Sequence, residues 1–127
     1  TMDLGANVTL TGGVALQTQE SWCEFISKDL QSISFGGNAA ELYFEEDKFD
    51  DFFKKLAAIK GIFYVHPVQQ YSWGQRVIRF YDPDFHILEV GENMKSVCRR
   101  FLDSGMTIEA AAVRMNVPEK FVRACVR

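Results

Sequence analysis

The sequence is poor in the residues that build soft metal sites and covalent cross-links. It contains 3 Cys and 2 His among 127 residues. The cysteines, Cys23, Cys98 and Cys125, are odd in number and widely spaced, and no C-x-x-C pair occurs. This pattern indicates neither a zinc site built on paired cysteines nor a redox dithiol. We expect the three thiols to be reduced and mostly buried.

Long apolar segments and targeting signals are also missing. No hydrophobic run approaches the roughly 20 residues that a bilayer-spanning helix needs, and the chain does not open with a signal-peptide pattern. With 47% hydrophobic residues and 11 Phe, the chain has enough apolar material for one compact core. We therefore expect a cytoplasmic protein that does not bind membranes.

Positive charge is scarce over most of the chain and concentrated at its end. Residues 1–94 carry 7 Lys or Arg against 14 Asp or Glu, whereas residues 95–127 carry 7 against 3. The tail therefore has a net charge of +4 beside a body of −7. This contrast predicts a domain over residues 1–93 and a separate extension over residues 94–127.

The hydrophobic pattern predicts an α+β fold. The predicted elements are a hairpin over residues 7–17, a helix capped by Ser21 that runs to about Leu30, strands at residues 40–45, 62–66, 75–81 and 86–90, and an amphipathic helix at residues 47–59. In that last helix, four apolar residues at spacings of three and four are predicted to pack on the sheet: Phe49, Phe52, Phe53 and Leu56.

The most informative segment is residues 73–89, Trp-Gly-Gln-Arg-Val-Ile-Arg-Phe-Tyr-Asp-Pro-Asp-Phe-His-Ile-Leu-Glu. It is predicted to form a strand, a turn at residues 82–84 and a second strand. Glu89 is set among apolar neighbours in that second strand, where a carboxylate is costly unless something pairs with it. We therefore expect Glu89 to have a cationic partner.

This segment resembles the last hairpin of the vicinal oxygen chelate superfamily, which includes glyoxalases, bleomycin-resistance proteins and extradiol dioxygenases. Trp73, Gly74 and Arg76 match the W-G-x-R of that hairpin, and Glu89 matches a metal-binding glutamate of its last strand. The resemblance implies a sheet of βαβββ repeats, with the second unit complete at residues 40–91 and the first incomplete. Because Thr1 precedes Met2, we expect the N-terminus to be an expression remnant on a shortened product.

The resemblance also implies a site for a small molecule and a divalent metal ion. Its metal ligands would be Glu89, Glu41 and Gln17, with Glu89 also the catalytic group and Trp73, Arg76 and Tyr64 near the substrate. The ion could be manganese, magnesium, nickel or zinc, and two carboxylates with an amide oxygen suit manganese or magnesium better than zinc. Structural roles remain open, since Glu89 could pair with Arg76 or Arg79 across the strands and Glu41 could be a solvated carboxylate.

The tail is predicted to form three helices, over residues 94–104, 107–115 and 118–126, with Thr107 as the cap of the second. Residues 107–112 resemble the start of a helix-turn-helix module. The alternative is a helical cap or dimerisation arm, which we favour because the positive charge is spread over all three helices. Nucleic acid is therefore not an expected partner.

Three functions follow from these observations: a metal-dependent lyase, isomerase or dioxygenase, a metal-free protein that binds a drug or metabolite, and a ligand-responsive regulator that uses the tail. An incomplete first unit would leave strand edges and apolar surface uncovered. We therefore also expect a homodimer.

Overall fold

A computed structural model describes residues 1–126, which fall into two compact units, Thr1–Phe35 and Gly36 onwards. Runs of consecutive strands are separated by single helices, and the chain ends in three helices, so the fold is α+β, as predicted. The strands are β1 (Met2–Asp3), β2 (Asn7–Thr9), β3 (Ala15–Gln17), β4 (Glu41–Glu46), β5 (Tyr64–Gln70), β6 (Arg76–Tyr81) and β7 (Ile87–Glu92). The helices are α1 (Gln19–Ile26), α2 (Phe49–Ala57), α3 (Met94–Asp103), α4 (Ile108–Met115) and α5 (Glu119–Val126).

The first unit is a small antiparallel sheet, β1–β2–β3, followed by α1 and a short 3-10 helix at Leu30–Ser32. The prediction that Ser21 caps α1 was wrong. Thr18 is the cap, because its hydroxyl oxygen accepts a hydrogen bond from the Ser21 backbone N–H. The helix ends at Ile26 rather than near Leu30, since Ser27 adopts a left-handed conformation with φ of 54°.

The second unit is built on a four-stranded sheet with the order β4–β7–β6–β5. Strands β5, β6 and β7 pair in antiparallel fashion, and β4 lies parallel to β7. The predicted order strand, helix, strand, strand, strand is therefore present. Two strands extend beyond their predicted ends: β5 continues through Pro67 to Gln70, and β7, predicted to end at residue 90, includes Gly91 and Glu92.

Helix α2 packs on one face of this sheet. Phe49 and Leu56 are buried against Ile78, Phe80 and Val90, and Phe52 packs partly against the same cluster. The prediction for Phe53 was wrong, because its side chain remains 37% exposed. On a helix of nine residues the apolar stripe is narrow, and Phe53 lies at its edge.

The tail forms a three-helix bundle with its own core, made by Val97, Cys98, Phe101, Ala111, Ala112, Met115, Val122 and Cys125. The hydroxyl oxygen of Thr107 caps α4 by accepting a hydrogen bond from the Ala110 N–H, as predicted. The tail is joined to the sheet through Arg100, which donates to the carbonyl oxygen of Gly74 at 2.6 Å and to Glu92 at 2.9 Å. Among the described residues, no helix is long and apolar enough to cross a membrane.

Candidate functional site

A polar cluster occupies the face of the four-stranded sheet that is turned away from helix α2. Ile78 and Phe80 flank Arg79, and Leu88 and Val90 flank Glu89; all four belong to the apolar cluster beneath α2. Because successive side chains of a strand point to opposite faces, Arg79 and Glu89 are directed away from that helix. Strand pairing then places Arg79 of β6 directly opposite Glu89 of β7.

Five side chains make up this Arg79 cluster: Glu41, His66, Tyr71, Arg79 and Glu89. The guanidinium donates to Glu41 at 2.8 and 3.4 Å and to the buried carboxylate of Glu89. It also donates to the Tyr71 hydroxyl at 2.7 Å and lies 3.2 Å from Nε2 of His66. An arginine has five N–H groups. These contacts account for all five, so the protein itself satisfies every donor of Arg79.

The hydrogen bonds of His66 identify its tautomer. Its Nδ1 atom lies 2.7 Å from the carbonyl oxygen of Pro67, a group that can only accept a hydrogen bond. Nδ1 therefore carries the proton and donates to Pro67. Nε2 then has a free lone pair, which accepts the hydrogen bond from Arg79.

The two carboxyl groups of the Arg79 cluster differ in acidity. Burial raises the pKa of Glu89, and its contact with Glu41 raises it further, whereas the charge of Arg79 partly offsets both effects. Hydrogen bonds from Arg79 and then from Glu89 lower the pKa of Glu41. Arg79 in turn has a raised pKa, mainly because of its hydrogen bonds to Glu41. One carboxyl is thus disposed to hold a proton and its neighbour to remain ionised.

Aromatic rings extend the cluster. The rings of Tyr71 and Trp73 are in contact, with centroids 4.5 Å apart. Trp73 donates from Nε1 to the amide oxygen of Gln75 at 3.0 Å, and Gln75 donates to the hydroxyl of Tyr43 at 3.1 Å. The buried amide of Gln75 thereby fixes both Trp73 and Tyr43. The cluster therefore combines carboxylate oxygens with aromatic surface, a combination suited to orienting a small organic molecule.

The structure brings together only some of the predicted site residues. Glu41 and Glu89 both form ion pairs with the guanidinium of Arg79. The ring of Trp73 contacts the ring of Tyr71, which belongs to the same cluster. Tyr64 pairs across the strands with Phe80, a residue of the core beneath α2. Gln17 ends β3 in the first unit, where it pairs with Asn7, and its role as a metal ligand stays a prediction.

Arg76 does not join the Arg79 cluster. It forms ion pairs with Asp50 at 2.8 Å and with the buried Glu92 at 3.0 Å, and its guanidinium lies over the ring of Phe49. Arg100 contacts the same Glu92 carboxylate. A charged cleft of about 510 Å³ surrounds these ion pairs. The W-G-x-R arginine thus connects β6, α2 and β7, and through Glu92 it reaches α3.

Comparisons with known proteins agree with this architecture. A family model for the glyoxalase-like domain matches residues 1–95. The chain belongs to this family. Membership of the glyoxalase-like family confirms the resemblance to the vicinal oxygen chelate superfamily. No curated protein matches the chain.

Several solved structures have folds similar to that of this glyoxalase-like chain. A protein of unknown function from Agrobacterium tumefaciens str. C58 is 37% identical, with a TM-score of 0.61 and coverage of 72% of this chain and 71% of that one. A glyoxalase/bleomycin resistance protein/dioxygenase from Nocardioides is 19% identical, with a TM-score of 0.54 and coverage of 72% and 64%. A glyoxalase-related enzyme from Fulvimarina pelagi is 18% identical, with a TM-score of 0.54 and coverage of 69% and 63%. The last two show the fold alone, and this chain spans less than two thirds of their length.

The metal ion that this family implies does not fit the Arg79 cluster as it stands. Both predicted carboxylate ligands already hold a cation, the guanidinium of Arg79, and a divalent ion placed beside it would be repelled. Among residues 1–126, Asp82, Asp84 and His86 are the three side chains whose ligand atoms lie within 4.8 Å of one another. In this group, the Asp82 carboxylate accepts hydrogen bonds from the backbone N–H groups of Asp84 and His86 and thereby stabilises the turn.

Proposed function

We propose that this glyoxalase-like chain binds a small organic molecule at the Arg79 cluster without a resident metal ion. The observation that carries the proposal is that the protein itself satisfies all five donors of Arg79. Arg79 therefore serves to hold Glu41 and Glu89 in place. The groups left to contact a ligand are carboxylate oxygens, the Tyr71 hydroxyl and the nearby aromatic rings.

These groups favour a ligand with a cationic amine and an aromatic ring. Two carboxyl groups face one guanidinium, so with both ionised the cluster carries a net charge of −1, and its charged acceptors are carboxylate oxygens. The Glu41 side chain is 37% exposed and Tyr43 is 47% exposed, so both are accessible from solvent. An ammonium group beside Glu41 and a ring near Tyr43 or Trp73 would use both features.

The proposal can be tested with two ligands of similar shape and opposite charge, 2-phenylethylamine and 3-phenylpropanoate. We expect the amine to raise the Tm of the wild-type protein by about 5 °C at roughly ten times its Kd, and the carboxylate to leave it unchanged. The variants Glu41→Gln and Glu89→Gln should each lose most of the amine response, because each removes a carboxylate that faces the ligand.

The matched control is Glu109→Gln, which removes one exposed carboxylate from α4 in the tail. This variant should respond to the amine as the wild type does. Equal responses to the two ligands, or equal responses in the Glu41 and Glu109 variants, would show that the Arg79 cluster is not the binding site.

A second candidate function is a metal-independent isomerase or lyase that moves a proton. It is favoured by the opposite pKa shifts of Glu41 and Glu89, since neighbouring carboxyls of different acidity form an acid–base pair. Glu89 would give or take the proton, with Arg79 orienting it. The test is NMR detection of deuterium incorporation next to the carbonyl of aromatic amino ketones. Exchange that persists in Glu89→Gln would argue against this candidate.

A further inference from the structure

The turn before β6, residues 71–75, connects the tail to the Arg79 cluster. At one end of this turn, the hydroxyl of Tyr71 accepts a hydrogen bond from Arg79 at 2.7 Å. Near its other end, the carbonyl oxygen of Gly74 accepts a hydrogen bond from Arg100 of α3 at 2.6 Å. The same short turn therefore supplies one group to the cluster and another to the tail.

Hydrogen bonds inside the 71–75 turn hold it together as one unit. The backbone N–H of Gly74 donates to the carbonyl oxygen of Tyr71, and the N–H of Tyr71 donates to the carbonyl oxygen of Gln75, both at 2.9 Å. The ring of Trp73 contacts the ring of Tyr71, and its indole N–H donates to the side chain of Gln75 at 3.0 Å. A displacement of Gly74 would therefore also displace the two aromatic rings.

The tail contacts Gly74 through two neighbouring residues of α3. The ring of Phe101 lies against Gly74, and the guanidinium of Arg100 also binds the buried carboxylate of Glu92. A hydrogen bond from an ionised donor is stronger than a neutral one, and the carboxylate fixes the direction of this donor. The family model ends at residue 95, so both contacts come from a part of the chain that family membership does not explain.

We propose that Arg100 is a positioning residue for the ligand site: by holding the carbonyl oxygen of Gly74, it fixes the turn that presents Tyr71 and Trp73 at the Arg79 cluster. A turn that is already ordered loses little conformational freedom when a ligand binds, so this contact favours affinity. The effect on affinity rests on the proposed function. The effect on the turn can be measured without any ligand.

The test compares Arg100→Met with Arg76→Met, two variants that each remove one cation from the buried Glu92 carboxylate. It is Arg100 that also donates to Gly74, whereas Arg76 also pairs with Asp50. Both variants should lose stability, but only Arg100→Met should release the turn. If the role of Arg100 were limited to stability, the turn would respond alike in the two variants.

The readout is solvent exchange of the indole N–H of Trp73, followed by NMR without ligand. We expect exchange at least about tenfold faster than in the wild type for Arg100→Met, as for the loss of one hydrogen bond from a charged group, and little change for Arg76→Met. The indole of Trp22, the other tryptophan, lies in the first unit and is the internal reference. The Kd for 2-phenylethylamine should rise by a similar factor in Arg100→Met and stay near the wild-type value in Arg76→Met.

The wild-type protein supplies a measurement that does not depend on whether either variant folds. In hydrogen exchange at low concentrations of denaturant, segments that are held together open together. We expect the indole N–H of Trp73 to become exposed no earlier than the backbone amides of α3. Exchange of Trp73 while α3 stays protected would show that the tail does not hold the turn.

The variants can overturn the inference in three further ways: equal acceleration of Trp73 exchange in both, no acceleration in Arg100→Met, or an unchanged Kd in Arg100→Met despite a released turn. Failure of the proposed function has a different signature. In that case 2-phenylethylamine would not bind the wild type, whereas the exchange of Trp73 would still differ between the two variants.

Discussion

The phenyl ring of Phe101 in α3 occupies the space that a side chain at Gly74 would need. A Cβ atom on residue 74 would overlap the ring, and Gly74 also has a φ of +88°, which other residues rarely adopt. The glycine of the W-G-x-R motif therefore permits both the bend before β6 and the close approach of the tail. The carbonyl oxygen of Gly74 accepts a hydrogen bond from Arg100, which lies next to Phe101 in α3.

We expect Gly74→Ala to destabilise the protein by about 3 kcal/mol, from the strain of a left-handed alanine and from overlap with Phe101. Gly105→Ala is the matched control, because Gly105 has a φ of +95° and open space around it. It should cost only about 1 kcal/mol. Urea unfolding of both variants measures the difference, and equal costs would mean that Phe101 does not pack on Gly74.

The ion pairs of Glu92 should make the stability depend on pH. Burial alone would raise the pKa of Glu92, but hydrogen bonds from Arg76 and Arg100 outweigh burial and lower it. A lowered folded-state pKa adds stability above the ordinary value of 4.5, and this contribution is lost as the pH falls through the lowered pKa.

We expect Glu92→Gln to cost about 3 kcal/mol at pH 7 and progressively less below pH 4.5. Glu119→Gln should change stability by less than about 0.5 kcal/mol, since its ion pair with Arg123 is exposed. Denaturant titrations across this pH range provide the measurement. A cost for Glu92→Gln that stays constant down to pH 3 would contradict the assigned charge network.

The tail should bind DNA poorly, although α4 and α5 follow each other like a helix-turn-helix. Arg100 is paired with Glu92, and Arg123 is paired with Glu109 at 3.8 Å and Glu119 at 3.1 Å. Phosphate binding needs several cations that act together. We expect no binding of a mixed-sequence DNA duplex at micromolar protein and low salt in fluorescence anisotropy. Tight binding that weakens steeply with added salt would favour a regulator.

Most of the second unit could be predicted from sequence because its strands and its amphipathic helix have clear periodicities. A cationic partner for Glu89 was also predicted, with Arg76 and Arg79 as the candidates, and the register of the hairpin selects Arg79: Tyr81 lies opposite Ile87, so the residues two positions further from the turn, Arg79 and Glu89, lie opposite each other. The contact of His66 with Arg79 could not be predicted, because it depends on irregular pairing that leaves no periodic signal. The homodimer, the cytoplasmic location and the domain boundary at residue 93 stay predictions.

Ligand binding at the Arg79 cluster should increase with pH. The pKa of Glu89 lies above its ordinary value, so Glu89 is protonated over a wider range than a solvated glutamate. Raising the pH through that pKa adds a negative charge beside the bound amine. We expect the affinity for 2-phenylethylamine to rise over this range in the wild type and to stay flat in Glu89→Gln. A parallel rise in the variant would assign the effect to another group.

The most direct test of ligand binding at the Arg79 cluster is a ¹H–¹⁵N NMR titration that follows the Nε–H of Arg79 and the indole N–H of Trp73. Both groups are hydrogen-bonded within the site, to Glu41 and Gln75 respectively, so a bound ligand must disturb them. We predict that both signals shift in a saturable manner with 2-phenylethylamine and remain in place with 3-phenylpropanoate. Signals of Arg79 and Trp73 that stay unmoved while calorimetry shows the amine bound would contradict the account.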